Sequence, residues 1–305
     1  MSRIFDALKR SEAEYLDRDL GAPPESIKDL LHAAEVRRVQ QKLEVFTAPT
    51  LPEAFSLATV QALRPSPAAD ARLVCLTEPG SLGAEKFRAL GLRLRHIRDT
   101  RKLKRIVVTG AAPEEGKSLI AANLALNQAR SRSLRTLLVD GDFRRPTLAG
   151  RFGVGALLPG LSEALRGERQ LAEVVYKLDG CGLWLLPAGM APENPLDLMQ
   201  SGRLIEFLAE LETVFDWIII DAPPLFPLAD TTFWMKLSDG VVLVVREEVT
   251  EKKMLQRAVE SIDRSNLLGV VINSCSSIEH KYYYSRYGQV AVQPGQAAFP
   301  RGKSK

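Results

Sequence analysis

Nine residues carry the strongest chemical signal in the chain. Gly110-Ala111-Ala-Pro113-Glu114-Glu115-Gly116-Lys117-Ser118, followed by Leu119, carries the G-K-[ST] end of a phosphate-binding loop G-x-x-x-x-G-K-[ST], with Ala111 in the place of the first glycine and Gly110 just before it. Glycine lets backbone N–H groups turn toward phosphate oxygens, and the helix that starts there adds partial positive charge. Lys117 is placed to reach β- and γ-phosphates, and the Ser118 hydroxyl to ligate Mg²⁺. The bland alternative is a chance Gly-Lys-Ser loop. A second signal is Leu137-Leu-Val-Asp140-Gly141-Asp142, where two carboxylates two residues apart close an apolar run. They read either as a solvated Asp-Gly turn or, beside a phosphate loop, as Mg²⁺ water ligands and a base near the nucleophile. A third is Trp217-Ile-Ile-Ile-Asp221, a Walker B arrangement whose carboxylate holds Mg²⁺ or is simply a turn acid. Finally, four of the six tyrosines are Tyr282, Tyr283, Tyr284 and Tyr287. They suit either phosphate acceptors on a tether or an aromatic edge packed on a sheet.

These residues need strands to end beside them. Apolar, β-branched runs occur at 105–109, 136–139, 183–186, 217–220, 241–245 and 268–272. Helical patterns at 119–129, 204–211 and 252–262 separate them. Near-continuous apolar strands alternating with helices predict an α/β fold, a mostly parallel sheet covered on both faces. Ligands then bind at the carboxyl ends of the strands, where all three acidic motifs lie. Before this core, residues 1–80 form an extension with charged helical stretches over 3–18 and 25–46 and a Pro-rich linker over 47–80. Ile4, Phe5 and Leu8 share a helix face, which reads equally as packing on its own domain or as docking to a partner or membrane. Residues 81–276 form the core domain and 277–305 a tail carrying the tyrosines.

The 305 residues carry 41 Lys+Arg and 37 Asp+Glu, a net +4. So small an excess argues against a dedicated nucleic-acid binder. Cys75, Cys181 and Cys275 are too scattered for a disulfide framework or metal ligation, as are the three histidines, so idle thiols and a cytosolic setting are expected. No apolar run approaches the roughly 18 residues of a membrane span, and the N-terminus lacks a secretory apolar stretch.

With the AAPEEGKS loop, LLVDGDFRRP, IIIDAPP and YYYSRY motifs together, the sequence resembles the bacterial tyrosine kinases of capsule and exopolysaccharide synthesis. Gly160-Leu-Ser162, Leu186-Pro-Ala-Gly189, Asn194-Pro195 and Gly269-Val-Val-Ile-Asn273 support the resemblance. It extends more distantly to the MinD/ParA group of deviant Walker ATPases, but their extra lysine is replaced here by Ala111. The resemblance implies a P-loop fold, ATP and Mg²⁺ on Lys117 and Ser118, a metal site completed by Asp142 and Asp221, Asp140 near the acceptor hydroxyl, and Asn273 near the adenine. It implies autophosphorylation of the tyrosine cluster between subunits, in a homo-oligomer or ring. A Glu-x-x-Arg-x-x-Arg helix contributes to that ring. Glu85 and Arg88 match it, while Gly91 stands in the third place. It also implies a cytoplasmic subunit recruited to the inner membrane face by a membrane polysaccharide co-polymerase. Two other functions fit the motifs: a nucleotide-binding regulatory adaptor of that co-polymerase, and an ATPase cycling on a membrane. Acidic side chains lining the site are expected to suit a phosphorylated tail poorly, so the assembly would loosen as phosphates accumulate.

Overall fold

The computed structural model describes residues 55–131, 133–155 and 157–274. The tyrosine cluster, Cys275 and the helices expected over 3–18 and 25–46 lie outside these residues. The strands are β1 (Gln61–Leu63), β2 (Arg105–Gly110), β3 (Thr136–Asp140), β4 (Tyr176–Leu178), β5 (Leu183–Leu186), β6 (Trp217–Asp221), β7 (Gly240–Arg246) and β8 (Leu267–Asn273). They form one sheet in the order β1-β4-β5-β3-β6-β2-β7-β8. Every neighbouring pair is parallel except β4–β5, which is antiparallel. Helices α1 (Val74–Thr77), α2 (Leu82–Thr100), α3 (Lys117–Ala129), α4 (Leu148–Phe152), α5 (Leu161–Arg166), α6 (Leu171–Val174), α7 (Pro195–Met199), α8 (Arg203–Val214), α9 (Asp230–Lys236) and α10 (Lys252–Ser261) complete the described fold.

The unbroken apolar runs follow from burial on both faces. Ile106 and Val108 of β2 enter the core with α2 and α3, whereas Val107 enters the opposite core with α5 and α8. Ile219 and the flanking Ile218 and Ile220 of β6 divide the same way. Each run of the expected set is a strand within one or two residues of its predicted ends. Two strands were not expected. β1, Gln-Ala-Leu, lies inside the stretch read as a linker, and β4 is Tyr-Lys-Leu. Three residues are too few to show periodicity, and these strands exist by pairing with each other and with β5. Leu73, Ala71 and Cys75 of the same stretch are buried in the core. Burial raises the Cys75 thiol to about 11, in keeping with an idle thiol.

α3, which opens at the phosphate loop, is buried on nearly every side. On its outer side it packs against α2 at Gly91, where a Cβ would run into the Asn127 amide. Close helix approach explains why a long side chain is excluded at 91. Asn123 ties α3 to the preceding segment, accepting from Cys75 N (3.0 Å) and donating to Arg72 O (3.0 Å).

The Gly160-Leu-Ser162 and Leu186-Pro-Ala-Gly189 motifs are explained by each other. Leu161 N donates to Pro187 O (2.8 Å), Ser162 N to Ala188 O (2.9 Å) and Ser162 Oγ to Met190 O (2.7 Å). A Cβ at Gly160 would run into the backbone of Pro187 and Gly189, which cannot rotate away. Gly160→Ala is therefore expected to cost about 3 kcal/mol of stability, read as a lowered urea midpoint at unchanged slope.

Candidate active site

The sheet delivers the acids to one place. Asp140 ends β3 and Asp221 ends β6, and the two are direct partners across the parallel pair. β2 lies on the other side of β6 and runs straight into the phosphate loop. The loop turns back at Glu114 (φ 63°) and Gly116 (φ 91°). The left-handed conformation at 116 favours glycine, and the Asn273 amide fills the space where a Cβ would sit.

The loop is held open by its own buried carboxylate. Glu115 is fully buried, accepting from Ala112 N (3.0 Å) and from Thr250 Oγ1 (2.6 Å). Asn273 Nδ2 at the end of β8 donates to Glu115 O (2.9 Å), and Arg246 donates to Glu114 O (3.3 Å). Lys117 folds back on the same loop, donating to Ala112 O (3.1 Å). Its burial lowers its pKa, against the pull of Asp221, Glu115 and Asp142.

The three aspartates have different surroundings. Asp140 is buried, its Oδ2 accepting from Thr147 N (3.0 Å) and Leu148 N (2.9 Å) at the start of α4. Desolvation raises its carboxyl to about 7, although those N–H groups favour the charge. Asp142 is half-buried and lines an open cleft of ≈ 450 Å³ together with Lys117 and Ser118. Its Oδ1 accepts from Arg144 N (3.1 Å) and Arg145 N (2.9 Å). Asp221 is buried, and apart from the Ser118 hydroxyl beside it neither of its oxygens has a hydrogen-bond partner among the described residues. Desolvation, then the nearby Asp140 charge, raises its carboxyl well above the usual range, while Ser118 and Lys117 favour its ionised form.

A buried carboxylate so sparsely partnered is costly unless a cation completes it. Beside the Ser118 hydroxyl it fits a hydrated divalent ion, and the loop with Lys117 fits a polyphosphate. Among the described residues no group of three or more His, Cys, Asp and Glu could hold a metal by itself. A cation here would therefore share ligands with Ser118, water and phosphate oxygens.

The acidic pair makes the unliganded protein sensitive to pH. Both carboxyls are raised in the folded state, so it binds more protons than the unfolded chain, and stability falls as pH rises, for Asp140 between about pH 4 and 7. A loss on the order of 2 kcal/mol is expected, measured by denaturant unfolding, and Asp221→Asn should flatten the slope.

The structure thus brings Gly110, Pro113, Glu114, Glu115, Gly116, Lys117, Ser118 and Leu119 together with Asp140, Asp142, Asp221 and Asn273. Asp140, expected near the acceptor hydroxyl, lies behind the cleft wall, and Asp142 faces the opening. Glu85 and Arg88 lie on α2 and pair with each other (2.6 Å). Sequence reasoning missed Thr250 and the bidentate pair of Arg144 with the buried Asp230, Nε to Oδ2 2.7 Å and Nη2 to Oδ1 3.3 Å. Arg144 lay within a recognised motif, but nothing near Asp230 or Thr250 signalled a role.

Comparison with known proteins gives a consistent picture. No protein-family model matches the chain. It is 32% identical over 213 residues to tyrosine-protein kinase YwqD of Bacillus subtilis, spanning 69% of this chain and 89% of that one. It is 30% identical over 231 residues to a putative tyrosine-protein kinase EpsB of Ralstonia nicotianae, covering 74% of this chain but 30% of the longer relative. Among solved structures, the chimerical protein CapA2B2 aligns with a TM-score of 0.63 at 31% identity, over 71% of this chain and 94% of that one. No helix among the described residues is long and apolar enough to cross a membrane.

Proposed function

The chain belongs to the bacterial tyrosine-protein kinases, and from that premise we propose that it transfers the γ-phosphoryl group of ATP to Tyr282, Tyr283, Tyr284 and Tyr287 of a neighbouring copy. The observation that carries this reading is the sparsely partnered Asp221, buried beside the Lys117–Ser118 end of a preshaped phosphate loop. Lys117 leaves Ala112 O to grip the terminal phosphates, and the loop N–H groups hold the rest. Mg²⁺, when bound, neutralises charge on the phosphates. Ser118, Asp221 and Asp142 are the residues that would hold it, in part through water.

A phenol of pKa about 10 is protonated at neutral pH. Asp142, at the cleft, orients the hydroxyl and takes its proton. Asp140 acts as a positioning residue, fixing the start of α4 and the turn that carries Asp142. The phenolic oxygen forms a bond to the γ-phosphorus as the bond to the β–γ bridging oxygen breaks. ADP leaves, and the phenolic proton passes to Asp142 and then to solvent. Asn273 sits at the adenine end of the site, and Glu85 and Arg88 contribute to contacts between copies in a ring.

In the cell, this reading makes the chain a cytoplasmic regulator of capsule or exopolysaccharide synthesis and export. A membrane polysaccharide co-polymerase recruits it to the inner face of the membrane and activates it. Mass spectrometry of the tail after expression tests the enzymatic core: phosphate on Tyr282–Tyr287 supports it. Nucleotide binding without tyrosine phosphate would make the chain an adaptor, and release of free phosphate alone would make it an ATPase.

A further inference from the structure

One wall of the cleft has a charge that metal and ATP binding leave unexplained. Arg144, Arg145 and Arg151 all line it beside Lys117. Arg144 is set in place by its two-pronged pair with Asp230, a geometry that leaves its remaining donors free. Arg151 is anchored through Nη1 to Ala71 O (3.0 Å), while its buried Nε has no partner. The Arg145 side chain is exposed, and no hydrogen bond or ion pair from another described residue engages it. The same cleft is also lined by the apolar side chains of Pro224, Phe226, Pro227 and Leu228. Three guanidinium groups and apolar side chains lining one cleft suit an aromatic ring that bears a dianionic phosphate.

The unmodified acceptor segment does not supply that charge. Beyond Glu279 the chain has no Asp or Glu, and it carries Lys281, Arg286, Arg301, Lys303 and Lys305. An unphosphorylated tyrosine cluster is therefore of like sign to the arginine wall. One phosphate brings about −1.5 to −2 charges and three strong acceptors, which reverses the local sign.

We propose that the Arg144–Arg145–Arg151 wall is a phosphotyrosine subsite, so that a segment already carrying one phosphate is a better substrate for its remaining tyrosines. This rests on the kinase reading above and deepens it. The first transfer to a segment is slow and the later ones faster. The acidic floor alone would repel a phosphorylated segment; the arginine wall makes it attractive.

The test uses the full chain with Tyr282→Phe, Tyr283→Phe, Tyr284→Phe and Tyr287→Phe, so that it cannot label its own tail. Peptides spanning residues 279–289 are supplied with tyrosine, phosphotyrosine or phenylalanine at position 283. Fluorescence anisotropy reads their binding in the presence of ADP and Mg²⁺, and labelled ATP reads transfer. The phosphotyrosine peptide is expected to bind about tenfold more tightly than either other peptide and to show a KM lower by the same factor, the low end for one charge-assisted hydrogen bond. Arg145→Gln should bring the preference close to one without changing ADP affinity, and Arg145→Lys should restore part of it.

Equal binding of all three peptides would overturn the subsite. So would an Arg145→Gln loss of ATP affinity as large as the loss of preference, because the wall would then serve the γ-phosphate. Competition by inorganic phosphate at concentrations equal to the peptide would also overturn it, assigning the wall to free phosphate. Tight, Arg145-dependent binding of the phosphotyrosine peptide with no label on any peptide would sustain the subsite and refute the kinase reading instead.

Discussion

Lys117→Met is expected to lower tyrosine labelling from ATP by 10²–10³-fold or more while leaving the fold intact. The ammonium is the strongest donor available to phosphate oxygens in the cleft, and losing one such preorganised contact costs that much in transfer rate. Methionine has similar length and fills the same channel. The lost bond to Ala112 O is offset because the buried ammonium is itself disfavoured by desolvation. The thermal midpoint should therefore shift by only a few degrees. Transfer from labelled ATP and a melting curve on the same preparation check both halves. Retained labelling at a tenth of the wild-type rate would show that the loop lysine is not gripping the transferred group.

Asp221→Asn should separate activity from stability more sharply. Both oxygens of this carboxylate are buried with no partner among the described residues besides the Ser118 hydroxyl, directly across from Asp140. Asparagine keeps the shape and removes the charge. Without ligand, the variant is expected to gain on the order of 1–2 kcal/mol, since a buried like-charged neighbour is removed. The gain should grow as pH rises, because the carboxyl's raised pKa keeps it neutral further into the acid range. In the presence of Mg²⁺ and ATP the order reverses. Transfer should fall by at least about 10²-fold, and the stabilisation by Mg²⁺-nucleotide seen with the wild type should largely vanish. A variant that is less stable than wild type at pH 8 would mean that Asp221 has a protein partner rather than a cation to complete it.

The parts of this site that could be read in advance are those written in consecutive residues. Gly116-Lys117-Ser118 is legible because phosphate binding needs that local order, and the strands of the inner sheet because double-sided burial leaves no polar positions. β1 and β4 escaped notice because a three-residue strand has no pattern of its own. Glu115 shows the other limit. Nothing in its neighbours reveals that Thr250, 135 residues away, and Asn273, 158 residues from it, fasten it inside the loop. Arg144 and Asp230, 86 residues apart, are hidden for the same reason. That Asp140 is sealed in while Asp142, two residues on, faces the cleft was likewise invisible, because only the packing of α4 on the end of β3 decides it.

Asn273 ends β8, and its amide is bonded straight to the carbonyl of Glu115. Strand and loop are thereby mechanically in series. Tension along β8, which runs beside β7 from 267 to 273, arrives at the phosphate loop through this 2.9 Å link. A pull along β8 would thus be felt, by the same thread, at the phosphate loop.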